Sequence, residues 1–188
     1  MIIVSGPSGA GKGTLIESLV ERFPDLDVAV SATTRARRPG EVDGVDYHFL
    51  SPAEFARRVD AGEFLEHVGY AGNRYGTLAV EVDRRISAGK SVVLEIELLG
   101  AREVRRRLPD SVAVFIAPPS MDELARRLRD RGTEDAGDIA RRLEVGRVEL
   151  EAMAEFDHRI VNEDRSRAAD ELVEVVAGAT GMTPEPER

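Results

Sequence analysis

The sequence predicts an α/β fold in which a parallel core sheet is covered by helices on both faces. Three observations carry that prediction. The first is "MIIVSGPSGAGKGT" at residues 1–14, an apolar run that passes through a glycine-rich turn into a helical pattern. The second is the pair "SVVLEIE" and "SVAVFIA", apolar runs too short for helices and separated from each other by helical sequence. The third is size: 188 residues are enough for one sizeable core with small insertions, and hardly enough for two independent domains.

Each element follows from its pattern. "MIIVS" reads as a fully apolar strand, and "GTLIESLVERF" places Leu15, Leu19, Val20 and Phe23 at helical spacing. "DVAVSATT" predicts a second strand and "VDYHFLS" a third. "SPAEFARRVDAGEF" predicts a short helix, with Ser51 as cap, Pro52 at the first position and Glu54 completing a capping box. Between the buried strands "SVVLEIE" and "SVAVFIA" a helix runs from about Leu99 to Arg107. Met121 to Phe156 reads as mostly helical, broken at "RGTEDAGD", which suits a mobile flap. "HRIVN" is the last strand, "DRSRAADELVEVVAGAT" the last amphipathic helix, and "GMTPEPER" is expected to be disordered. One region departs from the alternation. From Val28 to Glu81 strand signals are short and close together, with glycines at 40, 44, 62, 69, 72 and 76, which suits a small mixed α/β lobe inserted into the core.

Composition narrows the function classes. No cysteine is present and histidines number three, which excludes a disulfide framework or thiolate metal site and disfavours a multi-histidine one. No apolar stretch approaches the length of a membrane span, and "MIIV" lacks the flanks of a secretory signal, so a soluble cytoplasmic protein is expected. A net charge of −9 argues against general nucleic-acid binding. Basic residues nevertheless gather in two islands, "TRARRPG" and "ARRLRDRGTEDAGDIARRL". Such runs usually face water. Beside a phosphate loop they become candidates for holding more phosphate.

The loop "GPSGAGKGT" has the chemistry of a phosphate cradle and implies a P-loop NTPase-type three-layer fold. Gly6, Gly9 and Gly11, with Pro7, Ser8 and Ala10 between them, let successive N–H groups face an anion, and the following helix adds the positive end of its dipole. Lys12 supplies a mobile charge for the β and γ phosphates. Loops of this class usually follow the lysine with a magnesium-binding serine or threonine; here Gly13 stands there and Thr14 comes next. The Asn-Lys-x-Asp motif of GTPases and the Leu-Ser-Gly-Gly-Gln signature of transporter ATPases are both missing. A small kinase remains, and it needs a second anionic site, because two phosphate-bearing substrates must meet in line against their mutual repulsion.

"SATTRARRPGEVDGVDYHFLS", "GEFLEHVGYAGNRYGT", "LEIELLGA", "FIAPPS" and "RGTEDAGDIARRL", in order with the phosphate loop over about Ile2 to Glu163, resemble the guanylate kinases, which phosphorylate GMP with ATP. The resemblance implies one domain over 1–188: a core of about 1–30, 82–120 and 157–180, a GMP-binding lobe of about 31–81, a helical lid of about 121–156, and a tail from 181. It implies that Arg35, Arg38, Tyr47 and Tyr75 bind the GMP phosphate, a role that suits two guanidinium forks and two phenol hydroxyls. Ser31, Glu66 and Thr77 would hold guanine, Glu66 accepting from the ring N1–H and the exocyclic amine together. Arg131 and Arg142, with Arg141 less central, would come from the lid to the transferring phosphoryl group beside Lys12. ATP would lie on residues 6–14, with Asn162 near the adenine. Mg2+ would be held mainly through phosphates and water, with Thr14 and Glu95 as candidate contributors.

The chain departs from the family pattern at Arg37 for a proline, Glu97 for an aspartate, Leu99 for a glutamine and Thr77 for a serine. Glu97 stands where guanine contact is expected and is one methylene longer. Two other classes stay open: a non-catalytic binding module on the same fold, which would release no ADP, and a kinase for another phosphorylated acceptor, which would prefer AMP or UMP to GMP. Whether the chain is a monomer or a homo-oligomer is open at this stage.

Overall fold

The computed structural model describes residues 1–70, 72–130 and 136–186. In chain order its elements are β1 (Ile2–Ser5), α1 (Lys12–Arg22), β2 (Leu26–Val28), β3 (Ser31–Thr33), β4 (His48–Phe49), α2 (Pro52–Asp60), β5 (Phe64–Tyr70), β6 (Asn73–Leu78), α3 (Ala79–Ser87), β7 (Ser91–Glu95), α4 (Leu98–Arg107), β8 (Val112–Ala117), α5 (Met121–Asp130), α6 (Ala136–Glu151), a 3-10 turn (Ala152–Glu155), β9 (His158–Val161) and α7 (Arg165–Thr180). The core sheet has the order β2-β7-β1-β8-β9, and every pairing in it is parallel. Because strand side chains alternate, the two faces make two cores. Ile2, Val4, Val114, Ile116 and Ile160 pack with Leu15, Leu19, Leu172 and Val176 of α1 and α7. Ile3, Leu94, Ala113 and Phe115 pack on the other face with Val82, Ala101 and Val104 of α3 and α4.

A second sheet, β4-β3-β6-β5, accounts for the region of short strand signals. Its β3–β6 and β5–β6 pairings are antiparallel and β3–β4 is parallel. Phe55 of α2 stacks on Phe64 of β5 at 4.4 Å between centroids, and with Ala32 and Leu78 they form a small separate core. Arg107 of α4 donates to the carbonyls of Leu65 (2.7 Å) and Phe64 (3.2 Å), tying this sheet to the main body.

Local signals set several element ends. Ser51 caps α2 as expected, its Oγ accepting from the Glu54 N–H at 3.1 Å with Pro52 in the first turn, but the Glu54 carboxylate accepts from Arg57 and Arg58 instead of reaching back to Ser51, so the capping box is only half made. Asp164 caps α7 by accepting from the Arg167 N–H at 2.8 Å. Three expectations change. "DVAVSATT" is two strands in two sheets, because the chain crosses from the core to the second sheet at Ala29–Val30, and alternation cannot report which sheet a residue joins. "VDYHFLS" keeps only two residues of strand. The second helix stops at Asp60, and "FLEHVGY" is the strand β5 after a turn at Gly62. Most of the "RGTEDAGD" segment, residues 131–135, lies outside the described residues. The described part of the tail, 181–186, has neither helix nor strand, but the Glu185 N–H donates to the Arg22 carbonyl at 2.8 Å and Met182 packs against the α1–α7 core. Among the described residues no helix is long and apolar enough to cross a membrane.

Candidate active site

The glycine-rich loop leaves the carboxyl end of β1, where parallel α/β sheets hold ligands. Gly6, Gly9 and Gly11 all have positive φ, between 92° and 139°, a conformation that side-chain-bearing residues rarely adopt. At Gly11 a Cβ would also stand 2.4 Å from Asn162 Nδ2. Lys12 is buried and lies back over the loop, donating from Nζ to the carbonyls of Gly6 (2.6 Å) and Pro7 (3.3 Å). Asn162 braces the loop from behind, with Nδ2 donating to the Ala10 carbonyl at 2.7 Å, and Arg127 donates to the same carbonyl and to that of Asn162. From α6, Arg142 donates to Ser8 Oγ at 2.7 Å. A second cation thus reaches the loop across 134 residues of chain.

The other half of the site grows out of strand register. Ser31, Thr77 and Glu66 face one another across β3, β6 and β5, and Thr33, Tyr75 and Val68 form the next row. A bulge between Phe64 and Glu66 shifts the register, so that Phe64 packs on Phe55 while Glu66 pairs with Thr77. Glu66 is 3% exposed and accepts from Thr77 Oγ1 at 2.9 Å. Burial, opposed by that hydroxyl and reinforced by the charges of Glu97 and Glu103, pushes its carboxyl up to about 7. Gly100 of α4 makes room for it, since a Cβ there would meet Glu66 Oε2 at 2.5 Å. Nearer the phosphate loop, Arg35 holds Glu41 with two bonds (2.6 and 3.1 Å), and Glu41 also accepts from the Arg38 N–H at 2.7 Å. The Arg35 guanidinium lies 5.4 Å from the centre of the Tyr47 ring, which stands edge-on to Tyr75. Burial pushes the Tyr47 phenol up to about 12, so it is a hydrogen-bond donor at neutral pH.

One cavity of about 440 Å³ joins the two halves. Ser8, Gly9, Gly11, Lys12, Gly13, Ser31, Arg35, Arg38, Tyr47, Glu66, Tyr75, Glu95, Glu97 and Arg142 line it. Gly6, Pro7 and Ala10 build the loop from outside the lining, Thr77 lies beneath Glu66, Asn162 lies behind the loop, and Thr14 is not in the wall. Arg131 lies outside the described residues. Arg141 is exposed and paired with Asp138. Of the departures, Arg37 is exposed and Leu99 is 59% exposed, and neither reaches the cavity; Glu97 does, and its Oε2 is buried without a donor.

Sequence reasoning missed Glu41, Tyr70 and Glu149. Tyr70 lines the cavity, its phenol pushed up by burial, with the Arg142 guanidinium 5.8 Å from its ring centre. Glu149 is 3% exposed beside Glu97; burial, the Glu97 charge and a hydrogen bond between them push its carboxyl up to about 8, against the pull of Lys12. Its spacing was the available signal: two helical turns beyond Arg142, it shares that residue's face of α6.

Residues 1–179 match the family model described as guanylate kinase. The guanylate kinase of Frankia casuarinae is 53% identical over 179 residues, covering 95% of this chain and 97% of that one. That of Rubrobacter xylanophilus is 51% identical over 94% of this chain and 92% of its own. The chain belongs to the guanylate kinase family. The crystal structure of guanylate kinase from Anaplasma phagocytophilum superposes with a TM-score of 0.78 at 32% identity, covering 97% of this chain and 87% of that one. The fold is accordingly the P-loop NTPase type expected from the loop. Guanylate kinase function follows from this membership: the chain is an ATP:GMP phosphotransferase, with ATP and GMP as its substrates.

Proposed function

We propose that the cavity lined by the phosphate loop and the second sheet is where both substrates meet, ATP on residues 6–14 and GMP on the second sheet, and that phosphoryl transfer runs along the line between them. The observation that carries this reading is the cavity itself, whose wall brings Lys12 of the loop and Glu66 of the second sheet together with Arg35, Arg38 and Arg142. Its volume lies in the ordinary range for small-ligand sites. A GMP phosphate oxygen attacks the γ phosphorus of ATP, the bond to the β–γ bridging oxygen breaks, and that oxygen leaves with the electron pair as part of ADP. Lys12 exchanges its loop carbonyls for the β and γ phosphates, and Arg142 moves from Ser8 Oγ to the equatorial oxygens of the transferring group. Arg131 belongs to the same set on the family pattern.

At the acceptor end Arg35, Arg38, Tyr47 and Tyr75 take the GMP phosphate. Ionised Glu66 accepts from guanine N1–H and the amine, with Ser31, Thr77 and Glu97 completing the base pocket. Residues 31–81 act as the GMP lobe and 121–156 as the lid, closing to exclude water. Asn162 keeps the loop in shape next to the adenine.

The residues present fit Mg2+ held through water and phosphates. No group of three or more acidic, histidine or cysteine side chains among the described residues is arranged to hold a metal, Gly13 offers no hydroxyl, and Glu95 Oε2 comes within 4.0 Å of where a Gly13 Cβ would be. Glu95 and Thr14 would orient the ion's water shell, and the ion would neutralise phosphate charge. The net charge of −9 supports a protein that acts on free nucleotides and not on nucleic acid, and the reading places this work in the cytoplasm.

The test is ADP formation with ATP and Mg2+ fixed and GMP, dGMP, AMP, UMP and CMP supplied in turn. Strong turnover with GMP, weaker with dGMP and little with the rest is expected. Preference for another acceptor would overturn the base-pocket assignment, and GMP binding without ADP release would mean a binding module.

A further inference from the structure

Tyr70 lines the cavity but takes neither base nor phosphate in the scheme just given. Strand alternation puts Glu66, Val68 and Tyr70 of β5 on one face, and all three are in the cavity wall. Tyr70 stands at the hairpin end of the strand, opposite Asn73. Its ring lies edge-on to Tyr75 at 6.3 Å between centroids, and Tyr75 lies edge-on to Tyr47 at 6.1 Å. This ladder of rings has an arginine at each end: the Arg35 guanidinium is 5.4 Å from the Tyr47 centroid, and the Arg142 guanidinium is 5.8 Å from the Tyr70 centroid. Both distances lie within the range over which a ring face attracts a cation, and the attraction grows where water is kept out. The Tyr70 hydroxyl is buried and makes no hydrogen bond, so the ring face is what the residue offers Arg142. Three parts of the molecule therefore meet at one guanidinium: α6 supplies it, Ser8 of the phosphate loop accepts from it at 2.7 Å, and Tyr70 of the second sheet lies under it. Gly146, one turn further along the same face of α6, permits the approach, since its Cβ position is already 3.4 Å from Pro7.

We propose that Tyr70 is a positioning residue for phosphoryl transfer: its ring holds the Arg142 guanidinium between the phosphate loop and the tyrosines of the acceptor-phosphate site. The inference rests on the reading that Arg142 reaches the transferring group. A long arginine side chain loses rotamer freedom when it must meet the equatorial oxygens, and a ring that already restricts it lowers that cost. When Arg142 gives up Ser8 Oγ for the phosphoryl group, the ring stays beneath it. Because Tyr75 packs on the same ring, the acceptor-phosphate site and the lid arginine share one support.

The rate of a single turnover, with enzyme in excess over ATP, reads the transfer step apart from product release. Tyr70→Leu keeps apolar bulk without the ring and is expected to slow that step about five- to tenfold, the worth of a cation–π contact shielded from water. Affinities for GMP and ATP stay within about twofold of wild type, because the contact matters in the transition state. Tyr70→Phe keeps the ring and restores the rate to within about twofold. Arg142→Ala alone is expected to slow the step about a hundredfold or more. Tyr70→Leu added to Arg142→Ala then costs less than about twofold further, because the group it acts through is gone. A distorted second sheet would instead slow both backgrounds alike. If Tyr70→Leu does not fold, Tyr70→Met fills the space without a ring and serves the same comparisons. A wild-type rate in Tyr70→Leu or Tyr70→Met, with Arg142→Ala slowed, overturns the proposal and leaves the Arg142 reading standing. Equal slowing with and without Arg142 overturns it too. Equal loss in Tyr70→Phe and Tyr70→Leu does the same, since the hydroxyl would then be the link. A wild-type rate in Arg142→Ala removes Arg142 from the transfer step and the proposal with it.

Discussion

At the loop end of the cavity the cradle comes from contiguous residues, with Arg142 added from α6, and its cations are satisfied by the protein itself, whereas at the acceptor end the base-site groups come from three strands and a helix junction and include a buried carboxyl left poised. Lys12 and Arg142 already have oxygen partners in the loop, which a phosphate can replace without moving the backbone. Glu66 and Glu149 are instead carboxyls pushed up by burial, to about 7 and about 8, whose charged forms the free protein disfavours. The difference teaches where each end gains specificity. The loop offers preorganised positive charge to any nucleotide triphosphate, and the acceptor end withholds a carboxylate that only a ligand with two adjacent donors can stabilise.

The comparison breaks most readily at Lys12. Lys12→Ala is expected to lower kcat by about a thousandfold or more, since transfer depends on charge at the β and γ phosphates. Coupled ADP release measures it, and turnover near wild type would mean that the loop works by its backbone alone. Arg38→Ala is expected to act at the other end, raising the GMP KM by about 10- to 100-fold with little change in the ATP KM, the cost of one charged hydrogen-bonding partner. An unchanged GMP saturation curve would remove Arg38 from the phosphate site.

Acidity sharpens the contrast. Glu66 must be ionised to accept from guanine, so the GMP KM is expected to rise as pH falls below about 7, by up to about tenfold per unit, while the ATP KM changes less. The GMP phosphate itself titrates near pH 6, as phosphate monoesters do. Glu66→Gln is the control that keeps only that step, and coincident profiles for the two proteins would refute the role of Glu66. The smallest expected effect is on stability. A carboxyl whose folded value lies above its ordinary one contributes stability fully present below pH 4.5 and lost as pH rises through the folded value. The melting temperature of the free protein is therefore expected to fall by a few degrees between pH 6 and 8.5. Glu149→Gln should flatten the upper part of that fall, and a melting curve indifferent to pH in both proteins would count against the buried carboxyls.

Legibility followed the same division. The phosphate loop, the strand before it and the helix after it could be read from residues 1–22, because every group in that cradle is local. The Ser51 cap was legible for the same reason. Glu41, Tyr70 and Glu149 were not, since each takes its meaning from a neighbour far along the chain or across a sheet. The break of "DVAVSATT" into two sheets was hidden because a period of two is the same in both. Resemblance to the guanylate kinases bridged part of that gap by naming Glu66 and Glu97, whose spacing alone marks neither as special.

Sequence by itself determined the class of fold, the nucleotide loop and the two arginine islands, because apolar periodicity and glycine placement act over a few residues. The tertiary structure decided what those parts face. It set Glu66 against Thr77 and Gly100, buried Glu149, and brought Arg142 to Ser8, because burial and the meeting of charges depend on which distant segments pack together.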